Sequence, residues 1–246
     1  MKLLILNPNI SGSVSELIEK EALRSISAGT QISMLTATLG VSYIETRAES
    51  ILAAYAALND LATHFPGHDA AIIAAFGDPG LQAAREILPI PVVGLTESSL
   101  MTAAMLGGKI GIIAISRRIK AWYEETIASY GMSERLCGIR CLDKPFSDIG
   151  NIQSSNEDQL VSLCQQAINE DGADVLILAG APLAGLARGV ADRIPVPIVD
   201  GVSCAVHQAE LLARLGARKA MAGSYASPPT KDSKGLSGPL SELMSR

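Results

Sequence analysis

Along the chain, short apolar runs alternate with longer stretches in which apolar residues recur every three or four positions. KLLILN is followed by SVSELIEKEALRSI, TQISMLTAT by ETRAESILAAYAALNDLATHF, AAIIAAF by GLQAAREIL, and PVVGL by ESSLMTAAML. KIGIIAI then precedes RIKAWYEETIASYG, CGIRCLD precedes EDQLVSLCQQAINEDG, DVLILAG precedes AGLARGVADRI, and PIVDG precedes SCAVHQAELLARLG. Short runs bounded by Gly, Pro or Asn, each leading into a pattern of helical period, predict βαβ units around mainly parallel sheets. The closing stretch, AGSYASPPTKDSKGLSGPLSELMSR, is rich in Ser, Pro and Gly and predicts a surface tail, partly ordered at most.

The pattern repeats. With Asp69 set on Asp174, Ile72 and Ile73 fall on Ile177 and Leu178, Ala75 on Gly180, Gly80 on Gly185 and Leu81 on Leu186. One inserted residue later, Ile90-Pro91-Val92-Val93 matches Val196-Pro197-Ile198-Val199. Strand, turn, helix, X-Pro and strand in the same order imply an α/β protein of two pseudo-symmetric, flavodoxin-like lobes. Each lobe presents the carboxyl ends of its strands to an interlobe cleft, where ligands bind in open α/β sheets. The boundary is expected just after KIGIIAI: a first lobe over 1–115, a second over 116–215 and the tail over 216–246. The last helix is expected to cross back to the first lobe.

Composition narrows the functional classes. Hydrophobic residues at 48% and charged ones at 18% describe an ordinary globular chain, and 246 residues suffice for a large core. A net charge of −5 and a pI near 5.3 leave no basic footprint, so nucleic acid is not the expected partner. No apolar stretch approaches the ~20 residues of a membrane helix. Asn7, Pro8 and Asn9 interrupt the first apolar run too early for a signal peptide, so a cytoplasmic location is expected. Four cysteines (Cys137, Cys141, Cys164, Cys204) fit a reducing compartment, and with three histidines no metal centre is expected. Neither a GxGxxG after a strand nor a Walker loop is present, so no nucleotide cofactor is anticipated, and the expected partner is a small-molecule substrate.

Asn7-Pro8-Asn9 at the end of the first strand, FGDPGL at 76–81, Pro91-Val92-Val93-Gly94, GAPLAGLA and Val199-Asp200-Gly201-Val202 occur in that order. Together they resemble the hydantoin and allantoin racemases of the aspartate/glutamate racemase superfamily, from residue 1 to about 215. The resemblance implies a cofactor-independent enzyme whose lobes close over a small cyclic ureide, amide or amino-acid derivative; self-association into a homo-oligomer is expected as for a small α/β enzyme. It also implies two cysteines on opposite faces of the stereocentre, one a thiolate base and the other a thiol acid. A carbon proton beside a carbonyl is weakly acidic, and such a pair lets one carbanion be reprotonated with inversion. Those cysteines fall on Ala75 and Gly180, which offer neither acid nor base.

Other residues must then carry the site. Asn7 and Asn9 offer amide donors, or else an Asx-turned loop. Ala75, Phe76 and Gly77, with Gly180 and Ala181, present backbone to a ligand, as do Asp200, Gly201 and Val202. Ser116, with Arg117 and Arg118 behind it, suits a carboxylate. Asp78 is a base or an N-cap, and Glu97 a catalytic carboxylate beside the capping candidates Thr96 and Ser98. Cys204 and His207 share one helix face, as a substitute nucleophile or as ordinary packing. Three readings follow: a racemase or isomerase; a lactam or imide ring hydrolase or a decarboxylase, using water activated by Asp78 or Glu97; and a non-catalytic binding protein.

Overall fold

A computed structural model describes residues 1–142 and 152–245. Each apolar run becomes a strand: β1 (Lys2–Asn7), β2 (Gln31–Thr36), β3 (Ala70–Ile73), β4 (Val92–Gly94), β5 (Ile110–Ala114), β6 (Leu136–Cys141), β7 (Val175–Leu178) and β8 (Ile198–Asp200). The periodic stretches between and after them become α1 (Gly12–Ser25), α2 (Arg47–His64), α3 (Leu81–Ile87), α4 (Leu95–Leu106), α5 (Lys120–Ser129), α6 (Ile152–Asn169), α7 (Leu186–Val190) and α8 (Gly201–Arg214). The strands form two four-stranded sheets of orders β2-β1-β3-β4 and β6-β5-β7-β8, every pairing parallel. Inner strands covered on both faces are apolar throughout: AAII of β3 and VLIL of β7 are fully buried.

One boundary expectation needs correction. The repeat puts KIGIIAI at the end of the first lobe, but β5 pairs with β6 and β7 at the centre of the second sheet. The crossing between lobes is therefore made one helix earlier, by α4. Leu100 and Ala103 of α4 pack with Ile110, Ile112, Val175 and Ile177 of the second sheet. In return, Val202, Ala205, Val206 and Ala209 of α8 pack with Leu3, Ile5, Ala70 and Ile72 of the first, where the last helix was expected. The exchanged helices meet near their N-termini: a Cβ at Gly201 would lie 3.2 Å from the Ser99 hydroxyl and 3.4 Å from the Leu95 Cβ. Small residues there bring α4 and α8 close, and the exchange binds the two sheets into one body.

The repeat also shows at the amino ends of the strands. Asp69 Oδ2 accepts the Lys2 amide at 2.7 Å, and Asp174 Oδ2 accepts the Lys109 amide at 2.8 Å. The tail is exposed over most of 216–237 and ends in a short helix, α9 (Gly238–Leu243). The Ser237 hydroxyl caps that helix, and Leu240 and Leu243 are buried against α2 and α3 of the first lobe.

Candidate active site at the paired strand tips

Beyond β3 and β7 the chain makes two turns of the same design. The Ala75 carbonyl accepts the amide of Asp78 at 3.2 Å, and the Gly180 carbonyl accepts that of Leu183 at 2.9 Å. Gly80 and Gly185 then open α3 and α7 with φ of +79° and +82°, left-handed values that glycine adopts without strain. Both tips reach the same helix, α5. The Phe76 ring of the first tip packs on Tyr123 with centroids 4.7 Å apart, and Gly77 lies so close to Trp122 that a Cβ there would come within 2.2 Å of the indole. At the second tip, a Cβ on Gly180 would lie 3.8 Å from the Tyr123 hydroxyl. The convergence of tips expected from the repeat is thus realised at one aromatic side chain.

The polar candidates divide into those tied up by the fold and those still open to a ligand. Asn7 is fully buried, and its Nδ2 is engaged by Asn9 Oδ1, the Ser11 carbonyl and Ser15 Oγ at 3.0–3.1 Å, so it braces the loop. Asn9 takes the Asn7 amide and the Ser11 N–H on its Oδ1, leaving its Nδ2 without an acceptor among the described residues. Ser116 follows β5 as Asn9 follows β1; its Oγ caps the 3₁₀ turn Arg117–Ile119 by accepting the Arg118 N–H at 3.2 Å. Arg118 is exposed on that turn.

Asp78 is a cap, though not of the helix that follows it. Its carboxylate accepts the amides of Thr96 and Glu97, both at 2.9 Å, at the start of α4, and the Tyr130 hydroxyl donates to it at 2.7 Å. Burial pushes its pKa up to about 6, against the opposing effect of those hydrogen bonds. Asp78 is also the one non-glycine residue with positive φ (+47°) among the described residues, held there by its three partners. Glu97 forms a bidentate ion pair with Arg85 of α3. Both carboxylates proposed as water-activating bases therefore have structural partners.

In the second lobe Asp200 accepts the amides of Val202, Ser203 and Gly185 at 2.7–3.0 Å and caps α8. Its neighbours Gly201 and Val202 are buried in the helix crossing. Ala181 is buried as well, against α1 and α8. Cys204 and His207 do not form a reactive pair: burial pushes the thiol up to about 11, and His207 faces outward. Among the described residues no group of three His, Cys, Asp or Glu is placed to hold a metal ion.

The aromatic wall was not singled out from the sequence. Trp122, Tyr123 and Tyr130 all lie within WYEETIASY, which holds the chain's one tryptophan and two of its five tyrosines. That concentration, in a chain with 4% aromatics, was the available signal.

Residues 3–209 match the family model described as Asp/Glu/Hydantoin racemase. The chain is 31% identical to the hydantoin racemase of Pseudomonas sp. (strain NS671) over 233 residues, 94% of each chain. Among solved structures, the allantoin racemase from Klebsiella pneumoniae superposes with a TM-score of 0.92 at 29% identity, covering 98% of both chains. The allantoin racemase from Pseudomonas fluorescens gives 0.90 at 32% identity, covering 96% of this chain and 100% of that one.

Proposed function

This chain belongs to the Asp/Glu/hydantoin racemase family, and from that premise we propose that it racemises a small five-membered cyclic ureide of the hydantoin or allantoin class. The observation that carries the reading is the end-to-end likeness to hydantoin and allantoin racemases, with both strand tips meeting at Tyr123. The ligand lies between the tips. Asn9 Nδ2 and the Ser116 hydroxyl contact it from β1 and β5, and the backbone around Ala75, Phe76, Gly77 and Gly180 approaches its ring faces. Asn7, Asp78, Glu97 and the Asp200 turn support these groups without touching the reacting carbon. The ring-hydrolase alternative relied on Asp78 or Glu97, whose carboxylates are engaged by α4 and Arg85, and it has nothing further in its favour.

The reaction is read directly. Single enantiomers of 5-methylhydantoin and of allantoin are incubated with the protein in deuterium oxide, and optical rotation and the ring C–H resonance are followed. Loss of rotation with matching loss of the C–H signal is expected; retention of both for every ring tried would overturn the proposal. Activity is expected to survive chelation, in keeping with a cofactor-independent family reaction. We further infer a cytoplasmic homo-oligomer, for which the exposed Ile51, Leu52 and Tyr55 of α2 supply apolar surface. Light scattering of the purified chain tests its association.

A further inference from the structure

Resting on that reading, we propose that the Tyr123 hydroxyl supplies the polar contact missing at the second tip, donating to the ligand's carbonyl oxygen as it becomes an enolate. The second tip has no side chain of its own. Gly180 has φ of +108°, a conformation that L residues rarely adopt, so this backbone is shaped for glycine and not merely stripped of a thiol. Among the described residues, the polar side-chain atom nearest to its absent Cβ is the Tyr123 hydroxyl, at 3.8 Å. The ring behind that hydroxyl is fixed on two sides, by Phe76 at 4.7 Å and Trp122 at 5.5 Å between centroids, so the O–H is held in place before a ligand arrives.

The phenol is suited to donating and unsuited to acting as a base. Burial raises its pKa far above the usual tyrosine value, helped by the nearby Cys141 and Asp78, so it stays protonated at any working pH. A neutral donor aimed at a carbonyl oxygen strengthens its hydrogen bond as negative charge develops there, which lowers the barrier to passing the neighbouring C–H proton to a solvent water in the cleft, from which the carbanion is then reprotonated on either face. The first tip has no equivalent: Ala75 offers a methyl group, and the nearby Asp78 is turned toward α4. Of the two tips, the second is accordingly the one supplied with a side-chain donor, from α5.

Tyr123→Phe removes the hydroxyl and keeps both ring contacts, so the variant is expected to fold with an unchanged thermal midpoint. Deuterium exchange of 5-methylhydantoin and allantoin should slow by ~100-fold or more in kcat, the usual loss of one oxyanion donor, with KM changed only a few-fold. Wild-type exchange matched by an equal rate in Tyr123→Phe would overturn the role of Tyr123 and leave the racemase reading standing. If the wild type exchanges neither ring, the racemase reading fails, and Tyr123 is judged by titrating the same two compounds into both proteins. Binding to Tyr123→Phe that is weaker by a few-fold or more supports the contact; equal affinity, or no binding to the wild type, overturns it.

Discussion

The tips of β3 and β7 come from matched sequence, yet each gets its helix cap from a different place. In the second lobe Asp200, the last residue of β8, caps the helix that follows it and reaches back to the Gly185 amide. In the first lobe the corresponding position is Gly94, and the same two helix amides, those of Thr96 and Glu97, are taken by Asp78 from the neighbouring turn. Only one carboxylate fits: a Cβ on Gly94 would lie 2.4 Å from the Asp78 carboxyl carbon. Position 183, which matches Asp78, is a buried leucine. The duplicated scaffold thus conserves a physical requirement, an acceptor for the first amides of the crossing helix, and not the residue that meets it. Because Asp78 does this from the β3 turn, it ties the Phe76–Gly77 segment to α4 and, through Tyr130, to α5.

The sharpest way to break that comparison is to remove each cap. Asp78→Ala should cost about 3 kcal/mol, from a lost N-cap together with buried amides left unpaired. Gly94→Asp alone should destabilise by about 2 kcal/mol through overpacking against Asp78. Combining Asp78→Ala with Gly94→Asp transplants the second lobe's arrangement into the first. The double variant should be more stable than the sum of the two single effects by at least about 1 kcal/mol. Urea denaturation of the four proteins reads the coupling, and strict additivity would show that the two carboxylate positions do not share one task.

A second contrast concerns the matched residues Ala75 and Gly180 at the two tips. Ala75 has an ordinary backbone, whereas Gly180 has φ of +108°. Ala75→Cys should therefore change stability by less than about 1 kcal/mol, while Gly180→Cys should cost about 2 kcal/mol in backbone strain. Thermal denaturation separates them. Equal melting temperatures would mean that the second tip relaxes freely and that its glycine is incidental.

The elements themselves were legible because their signals are local: strand runs and helical periods are set by neighbouring residues. The exchange of helices was not. KIGIIAI is apolar after its lysine and fits either sheet; its placement follows from α4 crossing over, which no local period encodes. Extending the repeat backward, to Lys2 with Asp69 and Lys109 with Asp174, would have moved the boundary. At the site, the convergence of the two tips could be read from the repeat, but the duties of its polar residues could not. Whether Asp78 acts as base or cap depends on which amides lie beside it, and those are 18 and 19 residues away. Tyr123 looked like one more core position in a helical pattern, with Ile119 and Ile127 one turn to either side.

The smallest expected effect concerns proton linkage at the two caps. Burial raises the pKa of both Asp78 and Asp200, so at each the folded state holds its proton more tightly than the unfolded chain does. For Asp78 the stabilisation is complete below the ordinary value of 3.8 and is lost as pH rises through about 6. One group contributes a slope of at most about 1.4 kcal/mol per pH unit within that window. Glu21 and Glu210 pull the other way: burial raises them, but hydrogen bonds from Arg188 and Ser203, and from Ser27 and Thr30, outweigh it and leave both below the usual range. Their contributions are lost as pH falls, so the slope of the whole protein does not isolate Asp78. The difference between wild type and Asp78→Asn does, because the amide cannot titrate while every other group is shared. That difference, from urea midpoints between pH 4 and pH 7, should shift against the wild type as pH rises. A flat difference would place the Asp78 carboxylate in a better-solvated setting than its burial implies, and would weaken the contrast between a tip built around a buried charge and one built around backbone alone.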